Sequence, residues 1–481
     1  MEKYEIVIGL EIHAELCTES KLFCNCAYTF GASANDCTCP VCLGMPGTLP
    51  VINQRALEFA VRAGLAMNCE IISYSKFDRK NYFYPDLPKN YQISQYDLPL
   101  CKNGEVTFEL DGESKTVALR RIHLEEDAGK SIHAEVTGDP TRSFMDFNRA
   151  GVPLMEIVSE PEIHSPEEAI AYCRAVKEIL EYIEVSDCNM EEGSLRCEPN
   201  ISLRPRGSQE LGTRTEIKNK NSFQELLDAM DYEVKRQARI LDSGGEVVQE
   251  TLLFDANTGK TVAMRGKEEA DDYRYFPEPD LVHVQIDNEW IDEIQPTLPE
   301  LPAARRKRFI ADYDISPENA EFLSTTRQIA DFFDEAAQLS DEPTICANWI
   351  MGDLTRLLNT AEIEIQDSKV TPAHLSELIQ LIGNNTISGK IAKSVLDDAF
   401  ETGKMTKQIV EEKGLSQITD TSEIEAIVQQ VIEENPGPAQ DYRDGTKKAI
   451  GFLVGQAMKA TRGKANPQLV NQILTRELST D

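Results

Sequence analysis

Residues 4–16 read Tyr4-Glu-Ile-Val-Ile-Gly-Leu-Glu-Ile-His-Ala-Glu-Leu16. Ile6, Ile8, Leu10 and Ile12 recur at every second position, the period of a strand with one buried face. Side chains two apart point the same way, so Glu11, His13 and Glu15 share the opposite face. Glu-x-His on one face offers an oxygen and an imidazole nitrogen to a divalent cation; taken alone, the pattern equally describes a strand with one wet face. Leu119–Asp127 repeats it, with Arg121, His123 and Glu125 alternating with Ile122, Leu124 and Glu126. Glu191-Glu192-Gly193-Ser194-Leu195-Arg196 sets carboxylates beside a guanidinium, and Thr215-Glu216-Ile217-Lys218-Asn219 puts Glu216 and Lys218 on one face. Strands that gather Glu beside Arg and Lys suit one task. Carboxylates hold magnesium on a polyphosphate, while the cations neutralise charge on the transferring group.

Around these strands, the first 290 or so residues alternate short extended runs with helical patterns, notably SPEEAIAYCRAVKEILEYI and NSFQELLDAMDYEVKRQARIL, each opened by a capping Ser or Asn. The mixture predicts an α+β domain. The proline-rich segment PTLPELPAARRKRFIADYDI marks a boundary, and the patterns beyond it are helical to the end. The expected organisation is a cradle-like α+β domain over 1–292, an all-α domain over 293–405 and an α-helical tail over 406–481.

Composition narrows the function classes. Of 481 residues, 41% are hydrophobic and 27% charged, as in soluble globular proteins, and no apolar run approaches membrane-spanning length. The N-terminus has neither a secretory nor a transit pattern, so a cytoplasmic protein with no membrane attachment is expected. The net charge of −33 repels nucleic acid from most of the surface, so any such partner must meet a restricted basic area. From Asp441 to Asp481 the balance reverses, with seven basic residues, Lys447, Lys448, Lys459, Arg462 and Lys464 among them, against four acidic ones. This is either a polyanion-docking surface or an ordinary solvated helical face.

Five of the twelve cysteines lie between Cys24 and Cys42. Cys24, Cys26, Cys39 and Cys42 form two close pairs that can close a tetrahedral thiolate site around zinc, with Cys37 as a spare. Four thiolates leave no open position, so the role expected of that site is structural. Gly129-Lys130-Ser131 and Gly259-Lys260-Thr261 end like a phosphate-binding loop, but Leu124 and Phe254 stand where it needs its first glycine. Two segments, Lys76–Tyr91 and Asp272–Asp280, mix tyrosines with Lys and Arg; such loops either stack on a nucleobase or pack against the core. No amidase signature is present.

Together these residues resemble one family, the B subunit of the glutamine-dependent aspartyl/glutamyl-tRNA amidotransferase. The resemblance rests on Val7-Ile-Gly-Leu-Glu-Ile-His13, Cys39-Pro-Val-Cys-Leu-Gly-Met-Pro-Gly-Thr-Leu-Pro50, Phe77-Asp-Arg-Lys-Asn-Tyr-Phe-Tyr-Pro85, Asp146-Phe-Asn-Arg-Ala-Gly-Val-Pro-Leu-Met-Glu156, Asp272-Tyr-Arg-Tyr-Phe-Pro-Glu-Pro279, Gly451-Phe-Leu-Val-Gly-Gln456 and Asn466-Pro-Gln-Leu-Val470. It covers essentially the whole chain. It implies a glutamine-synthetase-like cradle, a helical domain and a tRNA-binding tail. The implied reaction is ATP-dependent activation of the side-chain carboxylate of Glu-tRNA(Gln) or Asp-tRNA(Asn), followed by amidation. An amidase, the A subunit of such a complex, would supply ammonia, and a small C subunit would complete a heterotrimer. Carried over residue by residue, the resemblance puts magnesium and ATP on Glu11, His13, Glu125 and Glu126, with Glu216 and Lys218 also catalytic. It puts nucleotide binding on Asn148, Arg149, Glu191, Glu192 and Arg196, and tRNA on the tail lysines and Arg462. Zinc falls on the four cysteines. Two other functions fit the residues: a zinc-bearing tRNA-binding assembly subunit without catalysis, and a glutamine-synthetase-like ligase acting on a small acid.

Overall fold

The computed structural model describes residues 3–132, 142–218, 220–266, 273–415, 421–461 and 464–479. The chain divides into two compact units, Met1–Ala303 and Ala304–Asp481.

The first unit is built on a twelve-stranded, predominantly antiparallel sheet. Its strands are β1 (Tyr4–Glu15), β2 (Glu70–Ile71), β3 (Asp78–Asn81), β4 (Tyr91–Ser94), β5 (Cys101–Leu110), β6 (Glu113–Glu126), β7 (Pro153–Ser159), β8 (Leu195–Pro205), β9 (Thr215–Lys218), β10 (Glu250–Asp255), β11 (Lys260–Gly266) and β12 (Phe276–Pro277). They run in the order β11-β10-β9-β8-β1-β7-β6-β4-β3-β12, with β5 also on β6 and β2 on β5. The strand read first from the sequence therefore lies in the interior of the sheet, flanked by two long antiparallel partners.

The alternation of β1 is realised as expected. Ile8, Leu10 and Ile12 are at most 1% exposed. They join a core formed with α1 (Gln54–Ala66), α2 (Pro166–Tyr182) and α3 (Phe223–Asp242), through residues such as Phe59, Tyr172, Val176, Leu226 and Met230. Each helix starts where its sequence provides a cap. Asn53 accepts from the N–H groups of Arg55 and Ala56, Ser165 from that of Glu168, and Ser222 from that of Glu225. Burying the apolar face against helices leaves the polar face of the sheet to hold the site.

One glycine is needed for that site. Gly151 sits at φ +85°, a conformation that side chains with a Cβ rarely adopt. Its N–H donates to Asp127 O and its carbonyl accepts from Leu22 N, which ties the Asn148–Arg149 turn to the end of β6.

The second unit is helical. Its described helices include Arg327–Ser340, Pro372–Gly383, Gly389–Thr402, Thr421–Glu434, Ala449–Ala460 and Pro467–Ser479. Residues between Ile424 and Leu478 form an apolar cluster of their own around Val428, Leu453, Ala457 and Leu474. An α+β unit followed by a helical one is the class the sequence predicts. Among the described residues, no helix is long and apolar enough to cross a membrane.

Candidate active site

Strand pairing assembles the polar face. In register, Glu11 of β1 faces Glu198 of β8, and His13 faces Arg196 on one side and Glu156 of β7 on the other. Glu156 faces His123 of β6, and Leu154 faces Glu125. Asn200 of β8 faces Glu216 of β9. Paired residues project to the same side, so two donor groups form next to one another. His13, Glu125 and Glu156 each offer a ligand atom within 4.8 Å of the others, and so do Glu11, Glu198 and Glu216.

In the first group, His13 Nε2 lies 3.8 Å from Glu125 and 3.5 Å from Glu156. His123 Nε2 lies 3.7 Å and 3.3 Å from the same carboxylates. Ser94 Oγ donates to Glu125 at 3.1 Å. In the second group, Lys218 Nζ bridges Glu198 at 2.6 Å and Glu216 at 3.0 Å, and Asn200 Nδ2 donates to Glu11 at 3.0 Å.

Electrostatics follow from this crowding. Burial disfavours a charged His13, but Glu156, Glu198 and Glu125 outweigh it and push the imidazole up to about 9. His123 is raised by Glu156 and Glu125 against the same burial penalty. Although burial opposes ionisation, Glu156 is held well below the usual carboxylate range by His123 and His13, and Glu198 is lowered by Lys218 and His13. The cluster is an anionic pocket that borrows protons and a lysine to hold its charges together. Among the described residues, Nδ1 of both imidazoles is buried without a hydrogen-bond partner, and each Nε2 faces carboxylates. Oxygen-dominated groups with one imidazole suit a hard divalent cation such as magnesium better than a thiophilic metal.

The structure thus brings together Glu11, His13, Glu125, Glu216 and Lys218. Arg196 is close by. Its Nη1 contacts Asp127 at 2.9 Å and Glu15 at 4.0 Å, while Arg149 lies 3.5 Å from Asp127 and donates to the carbonyls of Ala128 and Gly129. Glu126 is not brought to the cluster. It follows Glu125 in a strand and so projects to the other face, where it pairs with Lys89 and accepts from Ile93 N. Asn148 is occupied by the cysteine loop, accepting from Cys37 N and donating to Ser33 O. Glu191 and Glu192 are exposed on the turn before β8. Reading the sequence alone put His123 on the same strand face as Glu125 without giving it a role, and missed Glu156 and Glu198. Glu198 was detectable as the middle of Arg196-x-Glu198-x-Asn200, a polar alternation like that of β1. Glu156 was not, because the residues around it, from Pro153 to Val158, are apolar on both sides.

The sulfur atoms of Cys24, Cys26, Cys39 and Cys42 also lie within 4.8 Å of one another. The Cys39–Cys42 separation is 3.9 Å, close to the edge of about 3.8 Å that four zinc–sulfur bonds of about 2.3 Å would give. Cys37 stays outside the group and is held through its backbone. Lys21, fully buried, donates to Cys37 O at 2.7 Å and points at Cys42 Sγ at 3.8 Å. A hydrogen bond from Cys24, with the Cys39 N–H and the Lys21 ammonium, pulls Cys42 down to about 4 despite burial. The donor set fits a closed tetrathiolate metal.

In the tail, Lys447, Lys448 and Lys459 are exposed at the two ends of the helix Ala449–Ala460, and Lys464 is half-buried. Arg462 lies outside the described residues.

The chain is similar to known proteins over essentially its whole length. A family model described as the GatB/GatE catalytic domain matches residues 6–292, and one described as the GatB domain matches residues 331–478. The chain is 54% identical over 479 residues, 100% of each chain to the nearest percent, to the B subunit of the aspartyl/glutamyl-tRNA(Asn/Gln) amidotransferase of Carboxydothermus hydrogenoformans. It is 56% identical over 477 residues to that of Thermoanaerobacter pseudethanolicus, covering 99% of this chain and 100% of the relative. Against Geobacter sulfurreducens the identity is 53% over 475 residues, 99% of each chain.

Proposed function

The chain belongs to the family of aspartyl/glutamyl-tRNA(Asn/Gln) amidotransferase B subunits, and from that premise we propose how its own residues serve an ATP-dependent, glutamine-dependent carbon–nitrogen ligase. A side-chain carboxylate resists attack by ammonia because it has no good leaving group. Transfer of a phosphoryl group to it creates one, and ammonia then displaces phosphate to leave the amide on Gln-tRNA(Gln) or Asn-tRNA(Asn).

The observation that carries this reading is the pair of donor groups on one face of β1. His13, Glu125 and Glu156 would hold one magnesium ion and Glu11, Glu198 and Glu216 another. When bound, magnesium offsets the charge of the phosphates. Lys218 keeps Glu198 and Glu216 together and presents a cation to the transferring group. Arg149 and Arg196, converging on Asp127, supply guanidinium groups for phosphate oxygens. His123 orients Glu125 and Glu156.

The finer organisation is part of the same proposal. The cradle over 1–292 has a glutamine-synthetase-like architecture, supported by its broad sheet with one carboxylate-lined face. The tail over 406–481 is a separate domain, supported by its own apolar cluster, and its lysines bind tRNA. The cysteine group holds a structural zinc ion. Ammonia comes from an amidase, the A subunit; a small C subunit completes the assembly, and the complex works in the cytoplasm. The relatives' designation as B subunits supports those partners.

The test is ammonia-dependent amidation of Glu-tRNA(Gln) by the assembled complex, comparing wild type with Glu11→Ala and His13→Ala. Both variants should lose ATP-dependent turnover while still binding tRNA. Unchanged turnover in both removes the metal assignment, and amidation of free glutamate without tRNA favours a small-acid ligase.

A further inference from the structure

The two aromatic segments set apart in the sequence meet beside the carboxylate cluster. Tyr82 of the first segment stands against Tyr273 of the second, and Tyr96, just past the end of the first, stacks on Tyr275 with ring centroids 4.1 Å apart and planes at 9°. Tyr273 stands edge-on to Tyr275 at 6.2 Å and to Tyr82 at 6.1 Å. The rings are fixed through the backbone. Phe276 of β12 pairs with Arg79 of β3, and Asn81 Nδ2 donates to the carbonyls of Tyr273 and Arg274. Tyr96 is pinned by Arg121, which donates to its carbonyl at 2.7 Å, and by Asp78, which accepts from its N–H at 3.2 Å.

Lys80 joins this platform to the cluster. Its ammonium lies 4.9 Å from the Tyr273 ring centroid. Its charge is felt by Tyr275, Glu125 and Glu156 alike. A ring platform this close to the carboxylate cluster is available for something planar. Tyr96 is 40% exposed although Tyr275 covers one of its faces.

We infer that the Tyr96–Tyr275 platform, with Tyr82, Tyr273 and Lys80, stacks the terminal nucleobase of the aminoacylated RNA while the esterified side chain reaches the carboxylate cluster. This rests on the amidotransferase reading. Two purines must come near the site, that of ATP and the 3′-terminal adenosine. Charge separates them. A triphosphate needs several cations along its path, and the paired guanidiniums Arg149 and Arg196 converge on Asp127, past the end of β6. Arg196 itself lies on β8, on the far side of β1 from β3 and β4. The platform's cations stand singly: Lys80 is partly buried within it, Arg121 is held on the Tyr96 carbonyl, Arg274 is exposed beside it, and Arg79 is already paired with Glu278 and Asp280, which suits a neutral base on a singly charged backbone. Phe83 at 86% and Tyr84 at 44% exposure, beside Tyr82 in sequence, leave room for a macromolecular end rather than an enclosed cofactor.

Stacking of one base on an aromatic ring is worth a factor of roughly ten or more. In the assembled complex, with ammonium chloride as nitrogen donor, Tyr96→Ala should raise KM for Glu-tRNA(Gln) about tenfold and leave KM for ATP unchanged. Tyr96→Phe and Tyr96→Trp should stay near wild type, because they keep the ring. Wild type should lose a similar factor on Glu-tRNA lacking its terminal base, whereas Tyr96→Ala should not distinguish the two RNAs. A rise in KM for ATP alone gives the platform to ATP and overturns the inference. So does unchanged KM for both substrates. If Tyr96→Ala does not fold, the wild type's response to the abasic end decides by itself. Absence of any amidation by wild type would instead sink the underlying reaction.

Discussion

Glu156→Gln is the most informative single change. Glu156 Oε2 lies 3.5 Å from His13 Nε2 and 3.3 Å from His123 Nε2 in a buried environment. At an effective dielectric of about 20, each contact is a Coulomb interaction of about 5 kcal/mol. Desolvation offsets part of it, and removing one partner of a buried pair leaves a net loss of about 3–5 kcal/mol. If that loss falls on the metal-dependent step, it corresponds to a drop of roughly 10²- to 10⁴-fold in amidation kcat/KM at fixed magnesium. The imidazole reports independently. In metal-free protein, His13 should titrate near 9 in wild type and move down toward its ordinary value in the variant, because burial is then opposed by fewer carboxylates. A raised imidazole stabilises the fold below its unfolded value near 6.5, and this contribution is lost as pH rises to about 9. Over that interval it amounts to roughly 3 kcal/mol at most, and the variant should flatten it. The assays are imidazole NMR titration, unfolding at several pH values and magnesium-dependent amidation by the complex. A Glu156→Gln enzyme within threefold of wild type, with an unchanged magnesium requirement, would refute the reasoning.

Other outcomes are expected from the same structure. Cys26→Ser should abolish stoichiometric zinc and lower the cradle's Tm by roughly 5 °C, since structural metal binding is folding free energy. Cys37→Ser should do neither; metal analysis with thermal melts checks both. Reversing Lys447, Lys448, Lys459 and Lys464 to Glu should weaken tRNA binding and shrink its salt dependence by about one unit of slope per lost phosphate contact. Equal affinities and slopes at two salt concentrations would make the tail's charge incidental. In the helical unit, burial resists ionisation of Asp334, but the Arg308 guanidinium at 2.7 Å and the Tyr313 hydroxyl at 2.5 Å lower its carboxyl. That stability is present above the ordinary carboxylate range and is lost as pH falls through the lowered value. Asp334→Asn should therefore cost about 1–3 kcal/mol at neutral pH, with the gap from wild type closing in acid; a gap independent of pH would exclude the ion pair as its source.

How much was legible in advance depended on distance along the chain. Alternation in β1 and β6 is local, so residues two apart disclosed which side chains share a face. The same rule, applied strictly, separates Glu126 from Glu125; the family resemblance had grouped them. Cysteine spacing is local too, and it yielded the four sulfur atoms that lie together. Helix starts were legible because a cap is decided by its own few residues, as at Ser165; the helix read as opening on Asn221 is capped one residue later, by Ser222. The role of Asn148 was not legible, because its partners come from the loop around Ser33 and Cys37.

Local alternation along the chain was enough to set carboxylates, imidazoles and lysines on one face of extended strands and to mark the rest of the chain as helical. Which carboxylates meet depends on long-range strand pairing. β1 lies between β7 and β8, and their register sets Glu156 and Glu198 against His13 and Glu11. No local periodicity encodes such a pairing. It follows from burying the apolar faces of distant strands against the same helices, and a slip of one residue would send every donor to the wrong side.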